Sequence, residues 1–302
     1  MNENLRELGR LGAWSHLDRL DVVALRDFAR RADELGFGTL WVPETVGRDP
    51  FVLLALLTDV TSSMMLGTSI ANIYARDAQT MRTGAMSLQE ASGGRFVLGL
   101  GVSHPHLVEK LRGHTYERPV TRMREYVTAY RSAIYKGPIA EGAGEPPVLL
   151  AALRERMTDL AATDADGAFP YLFTTNRVRW QRERLDAAAS GSGRRPVLAV
   201  TMPTVVETDP AAARATARAY LTPYLRTPNY HASWTAQGFE PADWERPGSD
   251  RLVDAMVAWG DVEAIRARVA EFVDAGADHV AVIPLAPDGS DDDLPTLEAL
   301  GS

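Results

Sequence analysis

Two histidines separated by one residue, in the sequence His104-Pro105-His106, are the side chains of this chain best suited to chemistry. Histidine exchanges protons near neutral pH, and its neutral ring also binds metal ions. A metal site would need further histidine or aspartate ligands at neighbouring strand ends. No histidine ends the fifth to seventh predicted strands, and His279 stands at the start of the eighth. We therefore expect proton transfer and no metal, and a metal-dependent barrel hydrolase is a remote alternative.

Few of the other polar residues at predicted strand ends are strong acids, bases or nucleophiles. They include His16, Glu44, Thr45, Ser69, Asn72, Ser103 and Arg154. The chain contains no cysteine, which excludes thiol catalysis and thiolate metal sites. Gly99 and Gly101 have the same parity on one strand, so they predict cleared space where a flat ligand approaches the backbone, or else close packing against a helix.

Eight predicted strands alternate with helical patterns along the chain. They cover residues 10–15, 39–43, 64–71, 95–100, 147–151, 167–173, 196–202 and 278–284. Helical periodicity after Asp21 and Asp261, and from Val120 to Ile134, fills several of the intervals. Eight such units predict an α/β fold, a (β/α)8 TIM barrel formed by residues 1–302 as a single domain. An open doubly wound sheet is the structural alternative, but no glycine fingerprint follows the first strand.

One segment interrupts the alternation after the seventh strand. Residues 220–258 contain several prolines and many aromatic side chains, among them Trp234. Long connections of this kind are usually lids or binding elements, so we expect an insertion that covers the C-terminal rim of the barrel. The alternative is that its aromatic residues only pack the insertion against the barrel.

Composition excludes some classes of function. A net charge of −8 argues against a general nucleic-acid binder, because no basic field would attract phosphate groups. No apolar run approaches the roughly 18 residues that a membrane helix needs, and the first residues do not form a leader pattern. We expect a cytoplasmic protein that acts on a small molecule and has no membrane or nucleic-acid partner.

Three motifs resemble a known superfamily. Leu40-Trp41-Val42-Pro43-Glu44, Leu66-Gly67-Thr68-Ser69-Ile70 and Ser92-Gly93-Gly94-Arg95-Phe96-Val97-Leu98-Gly99-Leu100-Gly101 resemble the luciferase-like monooxygenase superfamily, and within it the oxidoreductases that use the deazaflavin coenzyme F420. The resemblance covers nearly the whole chain. It implies a TIM barrel and a homodimer formed through helices beside the second and third strands.

The resemblance also implies a cofactor site. In the family the third strand ends in a bulge with a non-proline cis peptide that supports the flavin-like ring, which here would be Ser69-Ile70. Arg154 matches the loop that holds the phosphate and acidic tail of the cofactor. The implied cofactor-binding residues are Ser69, Ile70, Asn72, Gly99, Gly101, Ser103, Ala151 and Arg154.

The catalytic positions depart from the better-known relatives. Glu44 matches an acidic residue of the sugar-phosphate dehydrogenases, but Thr45 replaces the histidine that follows it there. His104 stands where those enzymes have a glutamate, so we expect His104 to donate the proton, with Glu44 as a second catalytic residue. The expected substrate pocket contains Trp14, His16, Thr45 and Trp234. Trp41 has the opposite parity to Glu44 on its strand, and we interpret it as packing beneath the helices.

The cofactor that the resemblance implies sets the expected reaction. A deazaflavin favours two-electron hydride transfer, so the protein would mainly align the reactants and supply a proton. We expect hydride transfer from reduced F420 to a C=C or C=N bond of an organic substrate. The alternatives are an FMN-dependent monooxygenase on the same barrel and a non-catalytic protein that binds its ligand without turnover.

Overall fold

Apolar strands that are buried on both faces form the centre of the molecule. The protein is described by a computed structural model that covers residues 8–290 and 292–301. The strands are β1 (Leu11–Trp14), β2 (Thr39–Val42), β3 (Met65–Thr68), β4 (Ala71–Asn72), β5 (Phe96–Gly101), β6 (Val148–Leu150), β7 (Gly167–Ala168), β8 (Val197–Val206), β9 (Ala258–Gly260) and β10 (His279–Pro284). Residues 1–7, where the sequence lacks a leader pattern, lie outside the described part.

The strands close into a parallel barrel. β10 pairs with both β1 and β8, and the order between them is β1, β2, β3, β5, β6, β7 and β8. β4 adds a short second pairing to β5 beyond the end of β3, and β9 extends the far end of β8. The eight-stranded barrel predicted from the sequence is confirmed, with helices around it.

Helices follow most strands and cover the outside of the barrel. They are α1 (Val22–Glu34), α2 (Pro50–Ala55), α3 (Ala78–Ala91), α4 (Pro119–Ser132), α5 (Glu155–Asp164), α6 (Thr175–Ala188), α7 (Pro210–Leu221), α8 (Pro228–Thr235), α9 (Pro241–Trp244), α10 (Asp250–Met256), α11 (Val262–Asp274) and α12 (Leu294–Leu300). Asp21 and Asp261 cap α1 and α11 by accepting hydrogen bonds from the third residue after each. α4 ends before Ile134, which is exposed, so the predicted helix is too long at that end. Among the described residues, no helix has the length and apolar character to cross a membrane.

The core has an inner and an outer layer. Leu40 and Val42 of β2 pack outward against the helices, and Trp41 points into the barrel with Trp14 and Phe169. The interpretation of Trp41 as packing beneath the helices is therefore wrong. Its indole nitrogen donates a hydrogen bond of 2.9 Å to Nε2 of His279. His279 is the first residue of β10, so it lies at the amino-terminal end of the barrel strands, away from their carboxyl ends.

The segment between β8 and α11 is mostly helical. It contains α7 to α10, a short 3-10 turn (Tyr224–Arg226) and β9. These elements enclose an apolar cluster of their own, in which Trp234 is fully buried beside Tyr230, Phe239 and Leu252. The aromatic residues of the segment therefore divide between packing this cluster and reaching the rim of the barrel.

Candidate active site

A cavity of about 1070 Å³ opens at the carboxyl ends of the barrel strands. Residues that follow nearly every barrel strand line it, together with residues 223–230 of the helical segment. Parallel barrels place their active sites at this end because the strand-end loops meet there. Ten of the fourteen predicted catalytic, cofactor-binding and substrate-pocket residues line the cavity, and so does His106: the ten are Trp14, His16, Glu44, Ser69, Ile70, Gly101, Ser103, His104, Ala151 and Arg154. Thr45, Asn72, Gly99 and Trp234 do not.

A bulge between β3 and β4 forms one wall. The Ser69-Ile70 peptide is cis, which confirms the expectation for this bond. The indole nitrogen of Trp14 donates a 3.0 Å hydrogen bond to the Ser69 hydroxyl. On the other side, the Thr68 hydroxyl donates to the Gly99 carbonyl at 2.9 Å and accepts from the Gly99 amide at 3.0 Å. Hydrogen bonds to residues of β1 and β5 therefore hold the bulge in place.

The two glycines of β5 make room for this bulge. A Cβ atom on Gly99 would lie 2.0 Å from the Thr68 carbonyl oxygen, and one on Gly101 would lie 2.4 Å from the Ile70 side chain. Both distances are far below van der Waals contact. The glycines do leave space beside β5, as the sequence predicts, but the atoms of Thr68 and Ile70 occupy it. The glycines therefore allow the bulge to pack closely against β5.

Glu44 is buried in a network of positive charge. Arg76 donates hydrogen bonds of 2.9 and 3.0 Å to its two carboxylate oxygens, and Arg112 adds one of 3.3 Å. The backbone amide of Asn72 donates a fourth hydrogen bond to the carboxylate, 2.7 Å long. Thr45 turns away from the cavity and donates to Asp18. Because both oxygens of Glu44 have charged partners and one also accepts from the Asn72 backbone, the carboxylate is suited to holding β4 in place beside the bulge.

His104 is a neutral side chain beside the cavity. It follows Ser103, whose backbone is left-handed with φ of 57°, and its ring lies 6.0 Å from the ring of His106 and 5.6 Å from that of Tyr230. Burial, reinforced by the nearby His106, lowers the pKa of His104. Its Nδ1 atom is buried and has no hydrogen-bond partner among the described residues. A ligand in the cavity is therefore the natural partner for this ring.

Positive charge collects on the side of the rim that follows β5 and β6. Arg118 and Arg154 occupy the N-cap positions of α4 and α5, and neither helix start has a capping side chain. Both starts line the cavity, together with Arg156. Free amides at a helix start and nearby guanidinium groups favour phosphate and carboxylate ligands. This side of the cavity is suited to the acidic part of a ligand.

Tyrosines line the side that follows β7 and the start of the helical segment. Tyr171, Tyr224 and Tyr230 have ring centroids 5.1–5.9 Å apart, and all three line the cavity. The Tyr171 hydroxyl hydrogen-bonds to the hydroxyl of Tyr220 behind it. Burial raises the pKa of each of these tyrosines, so each remains a neutral hydrogen-bond donor at physiological pH.

Comparison with known proteins agrees with this geometry. A family model described as luciferase-like monooxygenase matches residues 8–279, which is most of the chain. The chain belongs to the luciferase-like monooxygenase family. It is therefore an enzyme of an oxidoreductase family.

Relatives of this luciferase-like enzyme include proteins linked to two cofactors. It is 27% identical to the Mycobacterium tuberculosis protein named "Putative coenzyme F420-dependent oxidoreductase", over 91% of this chain and 93% of that protein. Two solved structures share its fold. An F420-dependent secondary alcohol dehydrogenase in complex with an F420-acetone adduct has a TM-score of 0.76 at 15% identity and 96% coverage of both chains. The Pseudomonas putida 3,6-diketocamphane monooxygenase component, in complex with FMN, has a TM-score of 0.73 at 15% identity, over 96% of this chain and 95% of that one.

The structure also separates the predicted site residues of the luciferase-like enzyme by position. Asn72 is buried beneath the bulge, where its side chain accepts a hydrogen bond from the Tyr74 amide. Trp234 packs the helical segment, and the tyrosines of that segment reach the cavity in its place. Tyr171 follows Phe169-Pro170 at a strand end and lines the cavity, but no motif in the sequence identifies it as a site residue. Among the described residues, no group of three or more histidine, aspartate or glutamate side chains is arranged to hold a metal ion.

Proposed function

We propose that this luciferase-like enzyme uses coenzyme F420 and transfers a hydride from the reduced deazaflavin to a C=C or C=N bond of an organic substrate. The observation that carries the proposal is the division of the cavity, with the arginines and helix starts on one side, the tyrosines on another, and His104 beside them. A deazaflavin with a phosphorylated acidic tail has the same division between a flat ring and an anionic end.

The residues present fit such a cofactor. The buried Nδ1 of His104 has no hydrogen-bond partner among the described residues, so a ligand in the cavity could satisfy it. The bulge at Ser69-Ile70 would support the ring, and Arg118, Arg154 and the starts of α4 and α5 would hold the anionic tail. When bound in its reduced form, a deazaflavin supplies a hydride, and the chain's own residues position the substrate and move the proton.

Electrostatics favour reduction over oxidation of an alcohol. Oxidation needs a base, and Glu44 is already held by Arg76, Arg112 and a backbone amide. His104 is a weak base because its pKa is lowered and no carboxylate pairs with its Nδ1 atom. The same lowered pKa makes its protonated form a stronger acid, which favours giving a proton to the substrate after hydride transfer.

An FMN-dependent monooxygenase is the second candidate function. The family description and the FMN-bound structure of similar fold favour it. Such an enzyme would consume oxygen and bind FMN in the same cavity. The two candidates therefore differ in the cofactor that binds and in the need for oxygen.

A titration of the purified protein with F420 and with FMN, each followed by the cofactor's own absorbance, tests the proposal. We expect F420 to bind at least tenfold more tightly than FMN. We also expect oxidation of reduced F420 under anaerobic conditions when activated alkenes or imines are added. Tight binding of FMN alone, together with substrate-dependent oxygen consumption, would establish the monooxygenase instead.

The same titration on Arg154→Ala examines the arginine side of the cavity, which would hold the anionic tail of the cofactor. An arginine–phosphate contact is a charge-assisted hydrogen bond worth about 1.5–3 kcal/mol, so we expect F420 binding to weaken by roughly ten- to a hundredfold. Arg179→Ala is the matched control, because Arg179 is exposed on α6, does not line the cavity and donates a hydrogen bond to the Asn176 side chain. An unchanged affinity in the Arg154 variant would remove Arg154 from the cofactor site.

A further inference from the structure

The part of the cavity that follows β7, β8 and β1 is lined by no charged side chain among the described residues. The charged lining residues that follow β5 and β6 are Arg118, Arg154, Glu155 and Arg156, and Glu44 is neutralised by its arginines. The lining residues that follow β7, β8 and β1 are aromatic or neutral: Trp14, His16, Phe169, Pro170, Tyr171, Thr201, Pro223, Tyr224, Thr227, Asn229 and Tyr230. A charged group placed there would lose its hydration without gaining a partner.

Tyr230 differs from the other tyrosines of this region. The hydroxyls of Tyr171 and Tyr220 bond to each other, and Tyr224 lies within hydrogen-bonding reach of both. Tyr230 lines the cavity, and its hydroxyl forms no hydrogen bond with another described residue. A tyrosine hydroxyl on a cavity wall that no protein group engages is free to donate a hydrogen bond to a ligand.

The position of Tyr230 relates this donor to the reacting centre. Its ring centroid lies 5.6 Å from that of His104, and 5.1 Å from that of Tyr224. Both rings line the cavity, so a flat ligand beside them on the cavity side would present one edge to the Tyr230 hydroxyl and another to the imidazole. Burial keeps the phenol protonated, so the group it meets must be a hydrogen-bond acceptor.

We propose that the tyrosine side of the cavity binds an uncharged, flat, conjugated carbonyl compound, and that the Tyr230 hydroxyl donates a hydrogen bond to its carbonyl oxygen. This inference rests on the proposed function, and it names the substrate class. An isolated alkene is a poor hydride acceptor, whereas conjugation to a carbonyl makes its β-carbon electrophilic. A neutral donor next to an uncharged aromatic wall fits that carbonyl.

The reaction balances for this class. Hydride from the reduced deazaflavin forms a C–H bond at the β-carbon, and the alkene π electrons move to form the enolate, whose oxygen Tyr230 stabilises. A proton from His104 then forms the C–H bond at the α-carbon and restores the carbonyl. The alkene gains two electrons and two hydrogens in total, and the deazaflavin is oxidised by two electrons.

Two redox-inert ligands of the same shape test the hydrogen bond without turnover. Acetophenone carries the carbonyl, and α-methylstyrene replaces its oxygen with a CH₂ group. Their dissociation constants are measured by quenching of tryptophan fluorescence in the wild type, in Tyr230→Phe and in Tyr135→Phe. The last is a matched control, because the Tyr135 hydroxyl bonds to the Pro138 carbonyl in a loop away from the cavity.

We expect Tyr230→Phe to shift the ratio of the two affinities toward α-methylstyrene by about three- to tenfold, the effect of losing one neutral hydrogen bond. The control variant should keep the wild-type ratio. An unchanged ratio in Tyr230→Phe would overturn the proposal.

Two further measurements keep the outcome unambiguous. If Tyr230→Phe does not fold, the carbonyl stretching frequency of acetophenone bound to the wild type decides, because a hydrogen bond lowers it relative to a hydrocarbon solvent and its absence does not. F420 titration of the same variants separates the two proposals. Failure of F420 to bind the wild type would remove the proposed cofactor, while a Tyr230-dependent ratio would still establish the carbonyl site.

Discussion

His104 can give a proton only in its charged form, which sets a pH dependence for the reduction. Its pKa lies below 6.5, so the protonated fraction is small at pH 7 and increases as the pH falls. We predict that kcat for substrate reduction rises as the pH falls below 6.5 and decreases as the pH rises through the pKa of His104. The measurement is the initial rate of F420 oxidation between pH 5 and 8.

The variant His104→Gln isolates this effect. General acids contribute about 10²–10⁴-fold to the rate, so kcat should fall by at least a hundredfold. The rise of kcat at low pH, which we call the acid limb of the profile, should also flatten. His114→Gln serves as the control, since His114 is exposed and does not line the cavity. An acid limb that persists in His104→Gln would assign the proton to another group.

Glu44 is predicted to stabilise the fold at the site rather than to exchange protons. Its side chain is only 6% exposed, and replacing it with glutamine leaves Arg76 and Arg112 without their shared carboxylate. Breaking a buried ion pair on one side costs about 3–5 kcal/mol, so Glu44→Gln should lower the free energy of unfolding by about that amount in urea titrations. Asp59→Asn breaks an exposed pair with Arg26 and should cause no measurable change. Equal stability of Glu44→Gln and the wild type would refute this assignment.

At the scale of the elements, β5 and the bulge form one unit. Gly101→Ala places a methyl group 2.4 Å from flexible side-chain atoms of Ile70, which can move only toward the cavity or along the wall. Gly99→Ala meets a backbone carbonyl at 2.0 Å, which has no such freedom. We predict that Gly101→Ala folds with a cost of about 1–3 kcal/mol and binds F420 at least tenfold more weakly, whereas Gly99→Ala is much less stable.

Thermal unfolding and cofactor titration of both variants check this prediction. Gly84→Ala on α3 is a useful control, because its added methyl group would meet only the Phe51 ring at 3.3 Å. If Gly101→Ala bound F420 like the wild type, the position of Ile70 would not matter for the cofactor.

The elements also show what the sequence could predict. The eight strands and the capped helices α1 and α11 follow from local patterns of apolar residues, aspartates and glycines, so the barrel and the ring of strand ends were predictable. The direction of Trp41 was not, because a strand covered on both faces is apolar at both parities and its register alone decides which side faces inward.

Long-range contacts limited the prediction of the site. Glu44 meets Arg76 and Arg112, which are 32 and 68 positions away in the chain, and no local pattern joins them. The tyrosines come from a strand end and from the helical segment, and whether Tyr230 or Trp234 reaches the cavity depends on how that segment packs. The motif Leu66-Gly67-Thr68-Ser69-Ile70 located the bulge because the cis peptide lies within that one short stretch.

On the scale of the whole molecule, His279 connects parts of the barrel that are far apart in the sequence. Its Nδ1 bonds to the Gly9 carbonyl at 2.8 Å, and its Nε2 accepts from Trp41, so β10, β2 and the segment before β1 meet at one buried ring. Burial lowers the pKa of His279 to about 4. The Nε2 atom of His279 can accept the hydrogen bond from Trp41 only while the ring is neutral. Protonation of this ring therefore makes the stability of the barrel depend on pH.

The sign of this dependence follows from proton binding. Between pH 6.5 and about 4 the unfolded chain binds a proton at His279 and the folded chain does not, so stability falls as the pH falls through this window. The loss through this group reaches about 3 kcal/mol at pH 4. Asp293 acts in the opposite sense, because burial raises its pKa to about 6 and the folded state gains a proton there first.

The variant His279→Gln separates these opposing contributions. Glutamine retains an acceptor for Trp41 but does not titrate. The unfolding free energy of the wild type minus that of the variant, measured by urea titration, should therefore fall by about 3 kcal/mol from pH 7 to pH 4. His114→Gln, which removes an exposed imidazole, is the matched control. A constant difference across this range would mean that His279 titrates alike in the folded and unfolded chains, and that its buried contacts with Gly9 and Trp41 do not fix its charge.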